Sequence, residues 1–196
     1  MYRTKENNQH LQEKKQAILE GALHVFSRKG MAATMSDVAE AAGVSQGLAY
    51  RYFANKEALF NELIEQTAKN GLALLQEIRT MAGTPGERLS FLVSQSLEGM
   101  HEYIGFYRLF AQVLLDETLS EDSHNLLQNY GNAYHKLMRD LIIAAQATGE
   151  VAPDDPDQML RVAIACLDGL LGIYSLEPSK EQFPETRIVM RIFKPC

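Results

Sequence analysis

Residues 34–53, "TMSDVAEAAGVSQGLAYRYF", write two short helices and the turn between them. Thr34 and Asp37 stand at capping-box spacing, with Asp in place of Glu, so a helix opens at Thr34. Met35, Val38, Ala39 and Ala42 recur at helical spacing and form its inner face. Gly43 ends it, because glycine takes a positive φ at no steric cost. Ser45 is the N-cap of the second helix, which ends near Phe53. Ala39 is small enough for the two helices to approach closely. Ala49 and Phe53, four residues apart, face inward. Gln46, Gly47, Leu48, Tyr50 and Arg51 then face outward. A pair of short helices joined by a glycine turn of about three residues is the helix-turn-helix arrangement.

The rest of the chain continues the helical pattern. Ile18, Ala22, Val25 and Phe26 form a stripe on a helix from about Leu11 to Lys29, and Gly30 stops it as a left-handed residue. A long helix follows from about Asn55 to Ala82, with Leu59, Leu63, Ile64, Leu74, Leu75 and Ile78 inside. "GTPGE" (83–87) reads as a turn. Further helices are expected after it, with Leu89, Leu92, Val93, Leu97 and Met100 inward, then over about Tyr103–Asp116 and Glu121–Thr148. "GEVAPDDPD" (149–157) is a loop in which Asp155 caps the next helix and Pro156 opens it. That helix runs to about Ser175, and a short last one holds Ile188, Val189, Ile192 and Phe193. Strand alternation and Asn-Gly hairpins are not found. The expected fold is all-α, with about nine helices.

Composition agrees and narrows the class. The chain has 196 residues, 46% hydrophobic and 22% charged, with a net charge of -6. Residues 1–56 carry eight Lys/Arg against five Asp/Glu, and residues 57–196 carry eleven against twenty. A positive N-terminal part on an acidic body points to a segment that faces nucleic acid. Cys166 and Cys196 lie far apart and lack metal-ligand spacing. The polar N-terminus is no signal peptide, and no apolar stretch reaches the roughly 18 residues of a membrane span. A cytoplasmic location is expected. The five histidines have no metal-ligand spacing, and no catalytic triad or phosphate-binding glycine loop is present. An enzyme, a cofactor and a metal are therefore not expected.

In a helix-turn-helix the second helix enters the major groove and the first crosses the backbone. Thr34 and Ser45 place helix N-termini where phosphates bind, and Lys56 does the same at the start of the long helix. Gly47 lets the protein backbone come close to a phosphate. The longer stretch "AILEGALHVFSRKGMAATMSDVAEAAGVSQGLAYRYFANKEALF" (17–60) closely resembles the N-terminal DNA-binding domain of the TetR family of bacterial transcription regulators. The resemblance rests on Phe26, Gly30, Thr34, Asp37, Val38, Ala39, Ala42 to Ser45, Gly47, Tyr50 to Phe53 and Lys56 to Leu59. It covers about the first 60 residues without a gap; the remainder matches only in helical layout and length.

The resemblance implies a DNA-binding domain over residues 1–55 and a helical ligand-binding and dimerisation domain over residues 56–196. It implies a homodimer that binds a palindromic operator in double-stranded DNA, acts as a repressor, and is released by a small apolar or amphipathic effector. Effector binding would move the long helix that follows the DNA-binding domain. By position, DNA contacts fall on Thr34, Ser36, Ser45, Gln46, Gly47, Leu48, Tyr50, Arg51, Tyr52 and Lys56. Thr34, Tyr50, Tyr52 and Lys56 look like phosphate contacts, and Gln46, Leu48 and Arg51 like base readers. The chain departs from the family at Leu48-Ala49, where a threonine and a large apolar residue are common, and at Ser36, often arginine. Leu48 offers a thymine methyl contact in place of a hydrogen bond. The other reading is a helical small-molecule sensor or adaptor without sequence-specific DNA binding.

In the C-terminal part, Met100, Tyr103, Phe106, Tyr107, Phe110, Tyr134 and Met138 are the expected effector contacts, since tyrosine and methionine suit an apolar pocket with a few polar handles. Helix 158–176 looks like the dimer helix. Ala163, Cys166, Gly169 and Ile173 form its seam, and Ile188 and Ile192 on the last helix complete an intersubunit bundle.

Overall fold

The computed structural model describes residues 2–103, 120–176 and 184–194. These residues form eight α-helices and two 3₁₀ turns: α1 (Tyr2–Lys29), a 3₁₀ turn (Gly30–Ala32), α2 (Met35–Ala41), α3 (Gln46–Tyr52), α4 (Lys56–Thr80), α5 (Pro85–Glu102), α6 (Glu121–Ala147), α7 (Pro156–Leu176), α8 (Thr186–Val189) and a second 3₁₀ turn (Met190–Phe193). No strand occurs among the described residues. The all-α expectation holds. The helix expected over about Tyr103–Asp116 falls mostly outside the described residues.

The chain divides into two compact units. One takes in residues up to Gln66 and, among the described residues, Ser120–Ser123; the other takes in 67–103 and 124–194. The first boundary lies inside α4, eleven residues beyond the expected division at 55/56.

In the first unit, Ile18, Ala22, Val25 and Phe26 of α1 are buried with Met35, Val38 and Ala39 of α2, Ala49 of α3, and Phe53. Leu59, Phe60, Leu63 and Ile64 of α4 are buried as well. Phe26 and Phe60 meet edge to face, centroids 5.3 Å apart, a geometry worth about 0.5–1.5 kcal/mol beyond area burial. Gly30 and Gly43 have φ of 57° and 62°, as a left-handed helix stop requires. After α2 the N–H of Gly43 donates to Glu40 O and that of Val44 to Ala39 O, a Schellman closure. Helix α1 begins nine residues earlier than its apolar stripe predicts, because polar residues 2–10 extend the helix without adding to the stripe.

Helix α1 comes close to the end of α2 at Gly21. A Cβ on Gly21 would lie 2.9 Å from Ala42 N and 3.1 Å from its Cβ. Ala39, expected to let α2 and α3 approach closely, is buried.

In the second unit, the core joins Leu75 and Ile78 of α4, Leu89, Leu92, Val93 and Leu97 of α5, Leu137, Met138, Leu141, Ile142 and Ala145 of α6, and Met159, Ala163 and Leu167 of α7. Val189 and Phe193 close it, and Phe193 O accepts from Ala152 N. Helix α5 starts inside the segment expected to be a turn. Thr84 and Glu87 form a full capping box with Pro85 at the first helical position. The Glu150 carboxylate, from the α6–α7 loop, lies against the same helix start: it accepts from Thr84 Oγ1 (2.5 Å) and from Thr148 Oγ1 (2.6 Å).

Candidate nucleic-acid interface

Helices α2 and α3 are seven residues each, so their end groups dominate their behaviour. Each first turn leaves backbone N–H groups without helical partners. At α2, Thr34 Oγ1 accepts from Asp37 N (3.2 Å), and Asp37 Oδ2 accepts from Thr34 N (3.0 Å) and Thr34 Oγ1 (2.8 Å). Lys29 Nζ donates to Asp37 Oδ1 at 2.6 Å. The Lys29 hydrogen bond first, then the backbone and hydroxyl of Thr34, hold the Asp37 carboxyl down to about 2. At α3, Ser45 Oγ accepts from Leu48 N at 3.2 Å. At α4, Asn55 Oδ1 accepts from Ala58 N at 2.8 Å. All three helix starts are thus capped from within the chain.

The rotational phase of α3 follows from its buried side. Ala49 is fully buried and Phe53 nearly so, which turns Gln46, Gly47, Tyr50 and Arg51 outward. Tyr50 is 48% exposed, unusual for so large an apolar ring. Leu48 is half-buried at the edge of this face, and Ser36, Thr34 and Ser45 are exposed. A Cβ on Gly47 would meet nothing within 4 Å, so the protein itself does not require glycine there. Lys56 is half-buried in the first turn of α4.

Tyr52 departs from its expected role as a phosphate donor. It is half-buried, and its hydroxyl donates to the carbonyl of Leu11 on α1 at 3.0 Å. A phenol has one hydrogen to donate. Tyr52 therefore braces α3 against α1. Lys15 is likewise held within this unit: its ammonium lies 2.7 Å from Glu62 Oε1 and 5.8 Å from the Phe53 ring centroid.

Among the expected effector contacts, Met100, Tyr103 and Tyr134 are half-buried. Tyr134 shares a 2.8 Å hydrogen bond with Ser96 Oγ, joining α6 to α5. Its ring lies 6.4 Å from that of Tyr130 and 6.3 Å from that of His135. Met138 does not fit the expectation. It is fully buried in the core of its unit, where it packs against α6's own neighbours and presents no surface to an occupant. Phe106, Tyr107 and Phe110 lie outside the described residues. A cleft of about 710 Å³ is open elsewhere in the second unit, beside Gly86, Glu150, Val151, Arg187, Met190 and Phe193; no expected effector residue lines it.

On α7, the expected seam is rotated. Ala163 is buried, in line with Met159 and Leu167, and belongs to the protomer's own core. Val162 (55% exposed) and Ile173 (65% exposed) mark the outward stripe, with Ala165 and Gly169 between them and Cys166 half-buried at its side. Ile188 is exposed and Ile192 half-buried. Val162 and Ala165 were not singled out by sequence reasoning, although their spacing from Gly169 carries the signal.

No described helix is long and apolar enough to cross a membrane, and no described group of three or more His, Cys, Asp or Glu residues is arranged to hold a metal ion.

Comparison with known proteins adds to this geometry. Residues 18–63 match the family model "Bacterial regulatory proteins, tetR family". The HTH-type transcriptional regulator BetI of Rhizobium meliloti is 29% identical over 176 residues, 84% of this chain and 79% of that protein. The HTH-type transcriptional repressor KstR2 of Mycobacterium tuberculosis is 28% identical over 149 residues, 74% of this chain and 72% of that protein. The solved structure of the ketosteroid transcriptional regulator KstR2 aligns with a TM-score of 0.69 at 23% identity, covering 93% of this chain and 95% of that one. FadR of Bacillus subtilis, solved in complex with stearoyl-CoA, aligns with a TM-score of 0.64 at 17% identity, covering 90% and 94%.

Proposed function

Because this chain belongs to the tetR family of bacterial regulatory proteins, we propose that it is a cytoplasmic repressor that binds a palindromic operator as a homodimer and leaves it when a small effector binds. It is a DNA-binding transcriptional regulator and not an enzyme. The DNA-binding part covers residues 1–55 and the effector and dimer part residues 56–196. The observation that carries the reading is the outward face of α3. Gln46, Gly47, Tyr50 and Arg51 stand exposed beside capped helix starts, while Ala49 and Phe53 fix the helix from beneath.

The roles divide by reach. Arg51 and Gln46 have side chains that pair bidentately with base edges, and Leu48 offers an apolar contact to a thymine methyl. Thr34, Ser36, Ser45, Tyr50 and Lys56, with the backbone at Gly47, position the protein on phosphates. Paired recognition helices in a symmetric dimer read half-sites about one helical turn apart. The outward stripe of α7, Val162, Ala165, Gly169 and Ile173, supplies the protomer contact together with Ile188 and Ile192. A small apolar or amphipathic effector lies against Met100, Tyr103 and Tyr134. The ketosteroid regulator KstR2 and the stearoyl-CoA complex of FadR, both similar in fold, support an effector of that character.

Footprinting of the purified protein on genomic fragments tests the reading. Protection of one short palindrome at physiological salt is the expected result. Salt-sensitive coverage without sequence preference would refute it.

A further inference from the structure

The cleft of about 710 Å³ in the second unit has no role so far, and its size is that of a small-molecule site. One wall is the start of α5, with Glu87 and Ser90. The other is α8 and the residues after it, with Thr186, Arg187 and Lys194. The floor is apolar: Val151 and Phe193 are buried there, and Met190 is half-buried. The surround is tied together. Phe193 O accepts from Ala152 N at 2.9 Å. The Glu150 carboxylate sits so close to the start of α5 that a Cβ on Gly86 would lie 2.5 Å from Glu150 Oε2.

The polar groups of the lining fall into two sets. The first is committed within the chain. Glu87 Oε2 accepts from Thr84 N at 2.8 Å. The Glu150 carboxylate accepts from the hydroxyls of Thr84 and Thr148. Arg187 donates from Nε and Nη2 to Glu185, at 2.7 and 3.0 Å, so its charge is already met. The second set is open: the side chains of Ser90, Thr186 and Lys194 have no hydrogen-bond or ion-pair partner among the described residues. All three can donate, and only Lys194 carries a charge. An occupant that matches them has an apolar body and an acceptor head. The carboxylates of Glu87 and Glu150 limit the charge on that head. A dianion is repelled by both, whereas a single negative charge is offset by Lys194.

We propose that this cleft is a second small-molecule site, for an amphipathic monocarboxylate, separate from the effector contacts at Met100, Tyr103 and Tyr134. The carboxylate accepts from the Lys194 ammonium, and the hydrocarbon body covers Met190 above Val151 and Phe193. The site stands on its own geometry and does not depend on the DNA-binding reading, which operator footprinting tests separately.

The test titrates full-length protein with octanoate and follows the methyl NMR signals of its eight methionines, labelled at Cε and assigned by single methionine-to-leucine variants. Met190 lines the cleft, Met100 lies with the other effector contacts and Met138 is in the core, so the spectrum says where the probe goes. Saturable movement of the Met190 signal with a Kd of about 1 mM is expected, while Met138 stays still. Octylammonium and octyl phosphate, with the wrong charge and one charge too many, should bind at least fivefold more weakly. Lys194→Gln should weaken octanoate about fivefold, the reach of one exposed ion pair. Ser90→Leu, which fills the cleft, should abolish the Met190 shift with the melting midpoint retained. A Met190 signal that stays still or never saturates overturns the inference. So does movement of Met100 in place of Met190, equal binding by either other head group, or wild-type octanoate affinity in Lys194→Gln. Should Ser90→Leu fail to fold, Lys194→Gln and the two other head groups carry the test.

Discussion

Replacing Gly47 by alanine separates what the fold needs at this position from what DNA needs. In the free protein a Cβ there meets nothing within 4 Å, so the methyl causes no internal clash. Glycine also carries the larger entropy cost of ordering. Gly47→Ala should therefore stabilise the fold by about 0.5 kcal/mol, the lower end of the usual range because α3 is short and the site is in its first turn. For a chain of this size that is a rise of about 1–2 °C in Tm. On DNA the sign reverses. A methyl that protrudes at the start of α3 holds the backbone away from a phosphate, and operator affinity should fall about tenfold, ~1.4 kcal/mol. Gly21→Ala is the control. Its Cβ would press on Ala42 backbone, so stability falls, by about 1 kcal/mol once the gain in helix propensity is set against the overpacking. The two variants are compared by thermal melts and by fluorescence anisotropy on the duplex that the wild type selects from a random library. Gly47→Ala that binds as tightly as wild type would falsify the placement of this helix start against the DNA backbone.

Other predictions follow from the same geometry. Arg51→Ala should cost roughly 1–3 kcal/mol on the cognate duplex and relax preference at one position; equal loss on all sequences, measured by competition binding, would make it a phosphate contact. Ile173→Asp, on the open stripe of α7, should shift the protein towards monomer in sedimentation velocity while helical content is retained; an unchanged sedimentation coefficient moves the dimer contact elsewhere. The Glu150 carboxyl is held below its ordinary 4.5 by the hydroxyls of Thr148 and Thr84 and by the backbone of Gly86. A depressed carboxyl stabilises the fold fully above that ordinary value and loses its contribution as pH falls through the folded value. Glu150→Gln should therefore lower Tm at pH 7 and match wild type in acid; a gap that persists at low pH would point to a steric cause.

Where the chain signals locally, sequence was enough. Positive φ at Gly30 and Gly43, the caps at Thr34, Ser45 and Asp155, and the inward pair Ala49 and Phe53 all stand as their spacing predicts. The Thr84–Glu87 box was also legible, but Pro85 and its neighbouring glycines read more strongly as a turn. Two kinds of feature had no local signal. The phase of α7 is one: the helix is apolar around most of its circumference, so periodicity does not say whether Ala163 or Val162 faces out, and core contacts with α5 and α6 decide it. Long-range pairing is the other. Nothing near Tyr52 announces the Leu11 carbonyl, and nothing near Gly86 announces Glu150.

The Lys29–Asp37 pair bears on how this protein meets changing ionic conditions. The start of α2 comes with its own carboxylate, and that carboxylate with its own ammonium. Lys15 is similarly committed to Glu62. Two of the N-terminal cations are thus balanced internally before any DNA arrives. Lys56 is the charged side chain in the phosphate set proposed above, so that set displaces about one counterion per protomer on binding, and log K falls by roughly 0.9 per counterion for each tenfold rise in salt. An operator complex built this way relies on hydrogen bonds and shape more than on charge. Its affinity should fall less steeply with salt than that of a repressor that sets more charges against the same phosphates.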